Sequence, residues 1–168
     1  YNTAHSKRIL LTEDYRRIEA VVPNLVATKF ESASPAETRK LVTQTSLQHF
    51  LGEGNFPWGC LHGECSLLAF TAPLSPARAR RFFDLGVTGH VAELFRCADE
   101  IDSVVEALYG PVADLPLVDG AYDKILARAS GFEMPLRMLS PYEGCDIATY
   151  EACVDSLRDA HPDWLERG

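Results

Sequence analysis

Leu25-Val26-Ala27-Thr28-Lys29-Phe30 is a nearly continuous apolar run that carries one lysine near its end. A short run of this kind reads as a strand buried on both faces, the pattern of a parallel sheet covered by helices. The flanks fit that reading. Upstream, Thr12 precedes the acidic pair Glu13 and Asp14, and Tyr15, Ile18, Val21 and Val22 then recur at helical spacing until Pro23. Downstream, Ser34-Pro35-Ala36-Glu37 supplies an N-cap, a proline at the first helical position and the glutamate of a capping box. His49-Phe50-Leu51 then runs into Gly52-Glu53-Gly54, a strand ending in a loop whose backbone can approach a ligand closely. After the compact segment around Pro57 and Trp58, residues 66–71 read as a third strand. Strand and helix alternate, so the fold class is α/β.

From Ser75-Pro76 onward the pattern is helical. That first helix is expected to stop near Gly86. The next segment is the most regular in the chain: Val91, Leu94, Phe95, Ala98, Ile101, Val104, Val105 and Leu108 share one face, with Glu93, Arg96, Asp99 and Glu100 opposite. Gly110-Pro111 ends it. Two further helices are expected, one over about 120–130 with Gly131 as its stop and one over about 146–160 before Pro162. The resulting division is an α/β part over 1–86 and a helical subdomain over 87–168.

Composition narrows the function classes. The 168 residues are 46% hydrophobic and 24% charged, an ordinary globular balance. A net charge of -8 repels phosphate backbones and anionic headgroups, so neither nucleic acid nor a membrane is an expected partner. Cys60, Cys65, Cys97, Cys145 and Cys153 are odd in number and include no C-x-x-C pair, which fits a reducing cytoplasm. The start is polar, without the apolar core of a signal peptide, and no apolar run reaches membrane-spanning length. His5, His49, His62, His90 and His161 show no metal-site spacing, and neither a metal nor a cofactor is expected. His62 and Glu64, near Cys60 and Cys65, read as a surface loop with scattered thiols.

Lys29 is the residue that demands explanation. An ammonium in an apolar strand must pair with charge, reach solvent or lose its proton. The last option makes a nucleophile that attacks a carbonyl to form an imine. At the C-terminal end of a barrel strand, such an amine faces the pocket where barrels place catalytic groups. The alternatives are a lysine that snorkels to water or one paired with Glu31. Spacing alone leaves all of these open.

The order of motifs resembles that of a known family. Tyr1-Asn2, a helix, and Leu25-Val26-Ala27-Thr28-Lys29 look like the tyrosine-asparagine pair ending strand five and the lysine-bearing strand six of the dihydrodipicolinate synthase and N-acetylneuraminate lyase superfamily. Phe50-Leu51-Gly52-Glu53-Gly54 resembles the end of its strand seven, and residues 66–72 resemble strand eight. Met134-Pro135-Leu136-Arg137 and Ser140-Pro141 are similar to the segment before its last helix. The resemblance implies the C-terminal part of a (β/α)8 TIM barrel, from the end of strand five to strand eight, followed by a C-terminal helical subdomain. It implies a class I lyase in which Lys29 condenses with pyruvate or another 2-oxo acid and Tyr1 shuttles protons, for aldol condensation, cleavage or dehydration. Gly52, Glu53, Leu68 and Ala69 match positions that line the pocket. Fewer than half of the barrel strands are accounted for, so an N-terminal half is expected, whether on the same polypeptide, cleaved away or as another chain, along with homo-oligomers such as dimers or tetramers.

The departures bear on substrate. Ala4 stands where the family commonly has proline. Ser6 occupies the position at which dihydrodipicolinate synthases hold a dicarboxylic product with arginine, unless Lys7 or Arg8 substitutes. Phe30 replaces a common glutamate after the lysine, which points to apolar surroundings and to the hydratase-aldolase branch acting on aromatic or hydrophobic substrates. From a different class, a barrel that kept the lysine could serve as a noncatalytic binding or regulatory subunit.

Overall fold

The computed structural model describes residues 1–3, 7–30 and 34–165. In chain order the elements are α1 (Thr12–Val21), β1 (Ala27–Phe30), α2 (Pro35–Gln44), β2 (Gln48–Gly52), α3 (Phe56–Cys60), β3 (Ser66–Leu68), α4 (Pro76–Val87), α5 (Val91–Tyr109), α6 (Asp119–Ala129) and α7 (Ile147–Ala160). Among the described residues the chain divides into two compact units: Tyr1–Phe70 with Arg80–Ala98, and Thr71–Ala79 with Asp99–Gly168. No helix among these residues is long and apolar enough to cross a membrane.

In the first unit, β1, β2 and β3 form a parallel sheet in that order. Asn2 forms a parallel bridge with Phe30, so the start of the chain runs alongside β1. The register places Lys29 opposite Phe50 and Phe50 opposite Ser66, while Phe30 pairs with Leu51 and Leu51 with Leu67. Side chains alternate across a strand, so two different faces result. Thr28, Phe30, His49 and Leu51 are buried on one face, where Phe30 meets the Tyr15 ring of α1 edge-on at 6.2 Å between centroids. Lys29, Gln48, Gly52, Ser66 and Leu68 are half-buried on the other, and Phe50 beside them is exposed.

The strands are shorter than the sequence patterns imply. β1 begins only at Ala27, leaving Leu25 and Val26 outside it, and its burial alternates instead of extending to both faces. Among the described residues, the side chains of the second face are half-buried or exposed. β3 ends at Leu68, so Ala69 to Thr71 belong to the connection that follows.

Two polar side chains organise the covered side. Ser34 Oγ accepts from the Glu37 N–H at 3.2 Å, as an N-cap should. The Glu37 carboxylate, expected as the returning half of a capping box, reaches α1, where Oε1 accepts from the Thr12 N–H at 2.7 Å and the Thr12 hydroxyl at 2.6 Å. One glutamate thus satisfies an orphan donor at a second helix start. Burial raises its pKa, but the bonds from Thr12 and the nearby Lys40 prevail and hold the carboxyl below its ordinary value. His49 is buried between two threonines. The Thr45 hydroxyl donates to the Leu41 carbonyl at 2.9 Å, so it accepts from His49 Nε2 at 2.7 Å. Nδ1 is then bare and takes the Thr28 hydroxyl at 2.7 Å, which describes a neutral ring.

Helix α4 continues through Gly86, where a stop was expected. A Cβ at Gly86 would stand 2.6 Å from Phe56 Cε1, so this glycine permits α3 to approach closely. The terminator is Gly89, at φ 75°, with the His90 N–H returning to the Leu85 carbonyl at 3.0 Å. In the second unit, Ile101, Val104 and Leu108 of α5 are buried, as are Ile125 of α6 and Leu157 of α7. Asp146 caps α7 by accepting from the Thr149 N–H at 2.7 Å, and Gly131, at φ 92°, follows α6. Arg78 is held by Glu100 and Asp163 and lies 4.9 Å from the centre of the Trp164 ring, whose indole N–H donates to Glu100 at 2.9 Å.

Two outcomes follow for stability. Glu37→Ala removes a half-buried charged acceptor shared by two donors, so it should lower unfolding free energy by about 2 kcal/mol in urea titrations, and more than Lys40→Ala. Burial depresses the folded-state pKa of His49 below its ordinary 6.5. Stability from the neutral ring is therefore full above that value and is lost as pH falls through the folded pKa, with a slope of at most about 1.4 kcal/mol per pH unit. Urea titrations across that window should show this slope in the native chain and a shallower one in His49→Asn. Equal slopes would contradict the assignment.

Candidate active site at the strand ends

The sheet is parallel, so the C-terminal ends of β1, β2 and β3 all lie along one edge. Lys29 is one residue from the end of β1, Gly52 closes β2, and Leu68 closes β3 directly opposite Gly52. Alternation puts all three on the less covered face. A Cβ added at Gly52 or Gly54 would meet nothing within 4 Å, so the space above these ends is open in this chain.

Lys29 is half-buried, and its Nζ donates to the Tyr1 hydroxyl at 2.9 Å. The same nitrogen lies 4.3 Å from the centre of the Tyr1 ring. Tyr1 itself is 75% exposed, so its placement comes from the backbone beside it and not from burial of the ring. The Asn2 N–H donates to the Lys29 carbonyl at 3.0 Å, which sets the two residues side by side. The Asn2 side chain, 2% exposed, clasps the backbone of Leu10: Oδ1 accepts from the Leu10 N–H at 3.1 Å and Nδ2 donates to the Leu10 carbonyl at 2.8 Å. Asn2 also hydrogen-bonds the Tyr15 phenol, whose pKa burial pushes up while that bond opposes the rise. A buried amide with these partners is a rigid anchor for the residue before it.

The expected site residues fall into three groups. Lys29, Tyr1, Gly52 and Leu68 occur together at the strand ends on one face. Glu53 and Ala69 follow β2 and β3 directly, Glu53 nearly buried and Ala69 half-buried. Ser6 and Glu31 lie outside the described residues. Phe30 requires a correction: its ring points to the opposite face, against Tyr15, and does not line the surroundings of Lys29. The aromatic neighbour in register with Lys29 on the open face is Phe50, 38% exposed.

Phe50 and the anchoring role of Asn2 were missed by sequence reasoning. Phe50 became identifiable only with the register, and the partners of Asn2 are backbone groups eight residues away that carry no side-chain signature. Among the described residues no group of three or more His, Cys, Asp or Glu could hold a metal ion.

No protein-family model and no curated protein sequence matches the chain. Solved structures do. A dihydrodipicolinate synthase family protein from Coccidioides immitis superposes with a TM-score of 0.70 at 20% identity, covering 98% of this chain and 53% of that one. A prophage protein of the dihydrodipicolinic acid synthase family from E. coli K12, solved in complex with pyruvate, gives 0.78 at 15% identity, covering 95% and 54%. A monomeric dihydrodipicolinate synthase variant gives 0.70 at 16% identity, covering 95% and 53%. The chain thus spans about half the length of the structures it resembles. Its three parallel strands, their helices and the helical remainder have the dihydrodipicolinate synthase family fold, in an extent consistent with the C-terminal half of such a chain.

Proposed function

We propose that this chain forms part of a lyase that acts on pyruvate or another 2-oxo acid through a Schiff base on Lys29. The observation that carries the reading is the 2.9 Å hydrogen bond from Lys29 Nζ to the Tyr1 hydroxyl at the C-terminal end of a parallel strand. Amine and phenol at this spacing are the two groups that imine formation needs. The amine lone pair attacks the ketone carbon, and the Tyr1 phenol passes the proton released from nitrogen to the former carbonyl oxygen. A second proton, taken up from solvent through the same phenol, lets that oxygen leave as water and leaves the iminium cation. That cation accepts the electron pair freed when a bond at the neighbouring carbon breaks, or holds it while a new carbon-carbon bond forms. Dehydration of a hydroxy acid draws on the same electron sink. The pyruvate bound to the E. coli K12 protein supports the 2-oxo acid class.

Gly52 and Leu68 share the sheet face of Lys29, with Glu53 and Ala69 following them in the chain, and Phe50 supplies an apolar surface in register with the lysine. That surface favours a hydrophobic or aromatic second substrate, as in the hydratase-aldolase branch. The groups that bind the 2-oxo carboxylate come from the other half of the barrel, and the working protein is a homo-oligomer that contains both halves.

Incubating the full-length protein with pyruvate and borohydride should attach a reduced pyruvyl group to Lys29, detected as a mass increase on its peptide and absent in Lys29→Ala. If no adduct forms across a panel of 2-oxo acids, the lyase reading fails and a noncatalytic binding or regulatory subunit takes its place. Tyr1→Phe keeps the ring but removes the proton relay, so kcat should fall by about 100-fold or more while KM changes little. Asn2→Ala should lower kcat as well, by releasing Tyr1 from its anchor. Adding Asn2→Ala to the Tyr1→Phe variant should then cost little further activity; full additivity would contradict a positioning role.

A further inference from the structure

The loop between α3 and β3 brings together two thiols that the sequence separates by Leu61-His62-Gly63-Glu64. Cys60 Sγ and Cys65 Sγ are 3.7 Å apart, with a hydrogen bond between them. Cys60, the last residue of α3, is half-buried, and Cys65, just before β3, is buried. Two glycines make room for the sulfurs. A Cβ at Gly59 would stand 2.8 Å from Cys65 Sγ, and one at Gly86 would stand 2.7 Å from Cys60 Sγ. The four intervening residues are all exposed, so the loop can adjust as the sulfurs close to bonding distance.

We propose that Cys60 and Cys65 are a thiol-disulfide site, oxidised to an intramolecular disulfide by low-molecular-weight disulfides of the glutathione class. Cys60 is the more accessible sulfur and Cys65 is buried; the bond between them lowers the pKa of the Cys60 thiol, whereas that bond and burial push the Cys65 thiol up. Cys60 is therefore the attacking thiolate and Cys65 the resolving thiol. Cys60 sulfur displaces one glutathione thiolate from glutathione disulfide and forms a mixed disulfide. Cys65, no longer facing a negative sulfur, loses its proton and attacks Cys60 Sγ, releasing the second glutathione thiolate. Two cysteine thiols lose two electrons to glutathione disulfide, and their two protons end on two glutathione thiols. The site is independent of Lys29 and stands whether or not the lyase reading does.

Cleavage after lysine and arginine leaves both cysteines in one peptide, residues 41–78, and Cys97 in another. The full chain is equilibrated in buffers of graded glutathione disulfide to glutathione ratio, quenched in acid, alkylated and digested. Mass spectrometry should show peptide 41–78 passing from doubly alkylated to unalkylated and two hydrogens lighter, at ratios where Cys97 still alkylates. Cys65→Ser should instead accumulate glutathione on Cys60, and Cys60→Ser should leave Cys65 alkylatable. The native chain alone decides the matter if either variant misfolds. Double alkylation at the most oxidising ratio, or a mixed disulfide on Cys60 that never closes onto Cys65, would overturn the proposal.

Discussion

Everything at the strand ends depends on one hydrogen bond, from the amine of Lys29 to the phenol of Tyr1. A lysine amine on a flexible four-carbon stem has no fixed position of its own, and an exposed tyrosine has little reason to stay near it. The constraint is applied through the backbone. The Asn2 N–H binds the Lys29 carbonyl, and the buried Asn2 amide holds the segment at Leu10, so the amine and the phenol start from adjacent, rigidly paired main chains. The remaining polar contacts that hold this arrangement lie on the covered side and in the backbone.

The sheet explains why such an arrangement is stable while one face stays open. Phe30, Leu51 and Tyr15 supply apolar burial, and buried His49 and half-buried Glu37 have hydrogen bonds met by threonines. Alternation along β1 then presents Lys29 to the opposite side at no cost to this packing. The chain therefore separates its stabilising side chains from Lys29 by the two-residue period of a strand, and it ends each strand at the same edge because the pairing is parallel.

Much of this was legible in the sequence because the signals were local. The Ser34-Pro35 helix start, the long face of α5 and the Asp146 cap are patterns within one or two turns, and the structure contains all three. Errors arose where a residue acts across the chain. The Glu37 carboxylate caps α1 from 25 residues away, Gly86 serves the approach of α3 and not a helix end, and Phe30 turns away from its lysine neighbour because a strand alternates. At the site, Lys29 stood out as a charge in an apolar run, whereas Phe50 and Asn2 needed the register and the tertiary hydrogen bonds. The thiols at Cys60 and Cys65 were scattered by spacing and are joined only by the turn between α3 and β3.

The most direct measurement of the central claim is a crystal structure of the full-length protein after exposure to pyruvate. The account predicts continuous electron density from Lys29 Nζ into a three-carbon adduct, with the Tyr1 hydroxyl within hydrogen-bond distance of the new carbon-nitrogen bond. Pyruvate bound elsewhere, or an unmodified Lys29 side chain turned to bulk solvent away from Tyr1, would contradict it.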